Sequence, residues 1–152
     1  IGMTKYFEDF AIGAEFEARS TYKVSLEEIK SFARQWDPWP YHLDEERAKE
    51  TLIGQLFAPS ALTFCISVKL AHETEYYEIS TVAGLGIDEL RMPKPVLPGD
   101  ELRVKVTIQD KRESKTRPCM GVIVTKTEVL NRQGDVVLSY ALSALVNKRP
   151  SK

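Results

Sequence analysis

Hydrophobic and polar positions change rhythm about halfway along this 152-residue chain. In the back half they alternate. Leu102, Val104, Val106 and Ile108 are interleaved with Arg103, Lys105, Thr107 and Gln109, the two-residue period of a strand with one face in a core and one in water. Two more apolar runs, residues 121–130 and 135–146, flank Asn131-Arg132-Gln133-Gly134, which predicts a hairpin. Pro93, Pro95, Pro98 and Gly99 interrupt the chain before the first of these strands. In the front half the spacing is helical. Ser25 and Glu28 form a capping box, and Ile29, Phe32, Ala33 and Trp36 follow on one face, so Trp36 is expected to pack in the core. Pro38 helps stop that helix. Residues 15–24 read as a first strand, and residues 44–50 as a short polar helix with Asp44 as its N-cap. Residues 61–71 are apolar nearly all round, and Pro59 or Ser60 suits the first turn of a helix there. Such a helix must be covered on most sides, and Cys65 inside it is expected to be an inert, buried small hydrophobe. A buried helix followed by antiparallel strands predicts an α+β domain with the sheet wrapped around one long apolar helix.

Composition narrows the picture without assigning a function. At this length one domain over residues 1–152 is the simplest organisation, and folding buries roughly 70% of the chain's surface. No repeat, low-complexity tract or interdomain linker interrupts it. The net charge is -1 with both signs mixed along the chain, so no basic block points to nucleic acid and no acidic tail to disorder. Apolar runs are far shorter than the roughly 20 residues that span a bilayer. The first residues lack the apolar core of a signal peptide, and Met3 is a candidate native start. Cys65 and Cys119 have neither metal-ligand nor disulfide-framework spacing, which leads us to expect a reduced, cytoplasmic compartment. No ligand cluster or glycine-rich dinucleotide loop implies a metal or redox cofactor.

The segment Asp37-Pro38-Trp39-Pro40-Tyr41-His42-Leu43-Asp44 holds the candidate chemistry. Two prolines bias Asp37 and Trp39 toward extended backbone, so the segment is expected to be a rigid loop, the kind of place where catalytic groups sit. A carboxylate and an imidazole converging on one point can hold a water and take its proton; His titrates near neutrality. The second component is the N-terminus of the apolar helix, whose first amides lack intrahelical partners and whose dipole end is positive. A thioester carbonyl placed there gains hydrogen bonds as charge develops on its oxygen, and Ser60 is placed to supply an amide. In isolation, an Asp and a His on a surface loop are more often capping or solvated groups. His72 suits a helix C-terminus and is given no role. Trp39 and Tyr41 either line a pocket or cover the loop. Lys111, Arg112, Lys115 and Arg117 have the charge to meet phosphates but read first as a solvated hairpin tip.

Residues 32–62 closely resemble the MaoC-like dehydratases, a hot-dog-fold family that includes the (R)-specific enoyl-CoA hydratases, and residues 37–49 are the matching part. The family pattern is Asp-x-Asn-Pro-x-His-x-Asp followed by an Ala, with a related form Asp-Pro-x-Pro-Phe-His-Leu-Asp. Asp37 and His42 match its catalytic Asp and His. Residues 82–91, leading to Lys94-Pro95-Val96-Leu97-Pro98-Gly99-Asp100, resemble its first back-half strands and turn, and residues 6–13 resemble its usual start. Two positions depart. The motif Asn, which helps position water or substrate, is Trp39 here, and indole offers one donor and no acceptor; its bulk is expected to fill part of the acyl pocket. The Gly that opens the buried helix in hydratases falls at Ser60, after Ala58-Pro59; the amide survives while the side chain narrows the approach.

The resemblance implies a hot-dog domain, a homodimer at least, and a site near each interface that takes the acyl thioester of coenzyme A or acyl carrier protein. The expected reaction is reversible hydration of a trans-2-enoyl-CoA to the (R)-3-hydroxyacyl-CoA. Asp37 and His42 would be catalytic, the Ser60 amide would stabilise the thioester oxygen, and Pro59 and Trp39 would border the substrate. Coenzyme A would enter as part of the substrate, with no separate cofactor. Two alternatives stand beside it. A hot-dog thioesterase commonly carries its acidic residue on the central helix, and residues 61–71 hold none. An inactive acyl-thioester-binding module would follow if Trp39 and Ser60 closed the site.

Overall fold

The computed structural model describes residues 3–151. Six strands and four helices follow in the order β1 (Glu15–Glu17), β2 (Tyr22–Lys23), α1 (Leu26–Trp36), α2 (Pro40–Leu43), α3 (Glu45–Ala48), α4 (Ser60–Ala71), β3 (Thr81–Arg91), β4 (Glu101–Glu113), β5 (Met120–Leu130) and β6 (Val136–Asn147). The long strands make one antiparallel sheet ordered β1-β4-β5-β6-β3, and β2 also pairs with β4. Val104, Val106 and Ile108 of β4 lie across from Val129, Thr127 and Thr125 of β5, and all six are buried. That face packs on α4, whose Leu62, Ile66 and Leu70 are buried with it. The α+β arrangement of a sheet around one long helix is thus present. In β4 the alternation of residues 102–108 marks the dry face.

The β5–β6 hairpin closes where the sequence placed it. Asn131 Oδ1 accepts from the amides of Gln133 and Asp135, both at 3.0 Å, and Gly134 takes φ 85°, a value that favours glycine. Beneath α4, the Tyr140 hydroxyl of β6 and Ser67 Oγ share a hydrogen bond of 2.7 Å, and Ser67 Oγ also donates to the Phe64 carbonyl at 2.6 Å. These buried hydroxyls therefore satisfy one another rather than being left dry and unpaired.

Several expectations need correction. Residues 15–24 are not one strand. The chain bends between β1 and β2 because the Glu73 carboxylate takes the Ser20 amide at 2.9 Å and its hydroxyl at 2.7 Å, removing Ser20 from any ladder. The capping box is half made: Ser25 accepts from the Glu28 amide, while the Glu28 carboxylate accepts the Tyr22 hydroxyl at 2.5 Å. Trp36 is 66% exposed; Ile29 and Ala33 supply the buried face of α1, and Trp36, its last residue, overhangs it. Cys65 is exposed together with Ala61 and Lys69, one residue per turn, so α4 leaves one stripe uncovered in the single chain. Lys111 is not a solvated tip residue. It donates to the Phe10 carbonyl at 2.6 Å and stands 4.3 Å above the Phe7 ring.

Candidate active site

Asp37 is the C-cap of α1. Its amide donates to the Ala33 carbonyl at 2.9 Å, and Pro38 prevents the helix from continuing. The Trp39 amide then folds back to the Asp37 carbonyl at 2.8 Å. From here the segment departs from a simple loop. Pro40 opens the helical turn α2 at its first position, where its fixed φ is preorganised for a helix and its missing N–H costs nothing. The His42 amide reaches the Trp39 carbonyl at 3.0 Å. Asp44 closes that turn and caps α3, Oδ1 accepting from the amides of Glu46 and Arg47 at 2.9 and 3.2 Å. A 2.6 Å ion pair from Lys30 on α1 to Glu45 on α3 spans the segment, and the hydrogen bond to Lys30 holds the Glu45 carboxyl below its ordinary range.

This folding turns His42 inward, where it is 3% exposed. Its Nδ1 lies 2.7 Å from the Phe57 carbonyl oxygen. A carbonyl only accepts, so Nδ1 carries the proton and the neutral ring keeps its lone pair on Nε2. That nitrogen lies 3.5 Å from Asp37 Oδ2, and the Asp37 side chain is 32% exposed. Two acceptors facing each other at this distance form no hydrogen bond of their own while the imidazole is neutral. They match a molecule with two O–H donors, and a proton taken by Nε2 would become an ion pair with Asp37. The Phe57 carbonyl is itself anchored, because the other side of the same peptide unit, the Ala58 amide, donates to the Val96 carbonyl at 2.8 Å.

Ser60 is the first residue of α4 and Pro59 its N-cap, with no side chain capping the turn. Thr63 and Leu62 donate to the Pro59 carbonyl, which leaves the Ser60 and Ala61 amides without a partner among the described residues. Pro59 is buried and Ser60 exposed. Ser60 borders a cavity of about 270 Å³ with Phe57, Thr63, Val96, Leu138 and Lys94 among its walls. Asp37, His42, Pro59 and Trp39 are not among its lining residues. The structure therefore brings Asp37 and His42 together directly and connects them to Ser60 through Phe57, which wall and dyad share. The bulk of Trp39 does not fill this cavity. Its ring is 57% exposed and stacks on Tyr41.

Sequence reasoning passed over Phe57. Its role at His42 is played by a backbone carbonyl, which every residue type possesses, so no side-chain signal marks it. Among the described residues no helix is long and apolar enough to cross a membrane.

Residues 8–130 match the MaoC like domain. The chain belongs to that family. Its fold is the hot dog. It is 31% identical over 141 residues to the uncharacterized protein YdeM of Bacillus subtilis, covering 93% of this chain and 98% of that protein. The crystal structure of a MaoC-like dehydratase from Rhodospirillum rubrum superposes with a TM-score of 0.87 at 34% identity, covering 97% of this chain and 99% of that one. A 71-residue stretch is 42% identical to a mesaconyl-CoA hydratase of Cereibacter sphaeroides, spanning 47% of this chain and 20% of that enzyme.

Proposed function

We propose that this MaoC-like protein is a hydratase or dehydratase of acyl thioesters, hydrating a trans-2-enoyl-CoA reversibly to the (R)-3-hydroxyacyl-CoA. One observation carries the reading: His42 is held with Nδ1–H on the Phe57 carbonyl and its lone pair toward Asp37. A water between Nε2 and Asp37 Oδ2 gives a proton to His42 as its oxygen bonds to the β carbon of the enoyl group. The electron pair moves to the thioester oxygen, which the Ser60 amide and the positive end of α4 stabilise. Protonation of the α carbon by the dyad completes the addition, and the reverse sequence removes water. General acid–base work of this kind is worth about 10²- to 10⁴-fold in rate.

The chemistry asks for no resident metal or redox cofactor; coenzyme A, or the pantetheine of an acyl carrier protein, enters with the substrate. Similarity to a named CoA-thioester hydratase supports the substrate class. We read the chain as one domain whose working form is a homodimer. The support is β3, an eleven-residue edge strand exposed throughout and paired, among the described residues, with β6 alone, which offers its free edge to a second copy. Two free, exposed cysteines support a reducing cytoplasmic setting.

The test follows absorbance of the enoyl-thioester band with crotonyl-CoA and a longer trans-2-enoyl-CoA. Wild-type protein should bleach it, and Asp37→Asn and His42→Ala should each slow the loss at least about 10²-fold. Wild-type rates in both variants would sink the mechanism. Release of free thiol without 3-hydroxy product would make the protein a thioesterase, and tight binding without turnover a binding module.

A further inference from the structure

Two rings flank the proposed base, and a third extends their stack. Tyr41 and Phe57 lie parallel within 5°, their centroids 5.1 Å apart. His42 stands across both, at 77° and 4.6 Å to Tyr41 and at 79° and 4.8 Å to Phe57. Trp39 stacks on Tyr41 at 5.8 Å and 8°, making Tyr41 the middle ring of a stack that runs from solvent to the wall of the Ser60 cavity. Trp39 packs no core and lines no part of that cavity, yet an indole that is 57% exposed is kept in parallel register.

The single hydrogen bond at Nδ1 does not by itself orient an imidazole. The ring can still pivot about the Nδ1–Phe57 contact, and such a pivot carries Nε2 away from Asp37. The rings of Tyr41 and Phe57 block it. Phe57 is secured through its backbone on both sides of one peptide unit. Tyr41 is only half-buried, and the ring covering its outer side is Trp39.

We propose that Trp39 is a positioning residue: it clamps Tyr41 against Phe57, and through Tyr41 it keeps the His42 ring turned so that Nε2 faces Asp37. The inference rests on the reading of His42 as the group that takes the proton from water. It gives the indole a task other than obstruction at a position where the family pattern has Asn. An indole cannot replace an amide's acceptor, but it extends a stack, for which its flat area is well suited.

Two measurements on Trp39→Leu, Trp39→Gln and Trp39→Phe decide it. The first is the ring ¹⁵N spectrum of His42, read in a His72→Gln background so that one histidine remains. Wild-type protein should show one tautomer, protonated at Nδ1. Trp39→Leu and Trp39→Gln should leave Nδ1 protonated and move the Nε2 signal, as that nitrogen turns away from Asp37, and Trp39→Phe should return it to the wild-type position. The second is steady-state hydration of crotonyl-CoA. Kcat should fall about tenfold in the Leu and Gln variants, with KM within about twofold, and recover in the Phe variant, as expected of a misdirected catalytic group. An unchanged His42 spectrum in folded Trp39→Leu or Trp39→Gln would overturn the clamp, and so would a rise in KM with kcat intact, which would put Trp39 on the substrate. If wild-type protein hydrates no enoyl thioester, the proposed function fails, while the ¹⁵N comparison still decides the clamp.

Discussion

Gly121 shows how one hydrogen atom can be a structural requirement. A Cβ built there would fall 2.4 and 2.5 Å from two carbons of the Phe7 ring. Phe7 has little freedom to retreat, because Lys111 covers its ring and Lys111 is itself tied to the Phe10 carbonyl. Gly121→Ala should therefore displace Phe7 and lower stability by about 1–3 kcal/mol, seen as a lower urea midpoint. A double-mutant cycle with Phe7→Ala should return most of that loss; an additive cycle would show that the strain lies elsewhere. No sequence pattern announces this contact, since it joins residues 114 positions apart. Asp37 and His42 were singled out by the prolines between them and by the motif they share with the family, and the structure places His42 Nε2 and Asp37 Oδ2 3.5 Å apart. Phe57 was not singled out, because it acts through a carbonyl, and Trp36 and Lys111 were misjudged because helical phase and local charge do not say where a core ends or which ring lies across the sheet.

Elements that alternate cleanly or carry strong caps were read well. α1 begins where Ser25 can cap it, and Ser25→Ala should cost about 1 kcal/mol, measured by thermal or urea melting; no change would mean that Tyr22–Glu28 alone holds the turn. β3 was reached only through its resemblance to a known family. Gly84, Gly86, Asp88 and Glu89 spoil its alternation, and its register slips three times against β6 between Thr81 and Arg91. Glu89 takes φ 52° at the last slip, a left-handed conformation unusual for a residue with a Cβ. Those irregularities bend the strand whose Val82, Leu85, Ile87 and Leu90 are exposed. The proposed second copy would cover them. Ile87→Lys should then convert a dimer into a monomer in light scattering at micromolar concentration, since an unpaired charge would be buried at the joint. A mass unchanged by the substitution would place any interface on another surface.

At the scale of the whole molecule, buried and hydrogen-bonded phenols set how stability responds to alkali. The Tyr22 hydroxyl on β2 donates to Glu28 on α1, and that bond, helped by burial and the carboxylate's charge, pushes its pKa to about 12. Burial pushes Tyr77 to about 12 as well and raises Tyr76 and Tyr140. An unfolded tyrosine ionises near 10. Above that pH the unfolded chain releases protons that the folded protein retains, so these raised values stabilise the fold fully below about pH 10 and lose their contribution as pH climbs through 12. The carboxyls run the other way. Glu73, bonded to Ser20, and Glu101, bonded to Thr21, are held below their ordinary range, so their contribution is present above that range and disappears as pH falls through the lowered values. They are solvent-facing, and salt screens them. The fold should therefore lose stability in alkali. Urea midpoints taken at half-unit steps from pH 7 to 11.5 should be level to about pH 9.5 and then fall. Tyr22→Phe should start lower, having lost the bond to Glu28, and then fall less steeply by the share of one proton. Parallel curves for the two proteins would mean that Tyr22 ionises equally in both states, and that the bond joining β2 to α1 does not survive in solution.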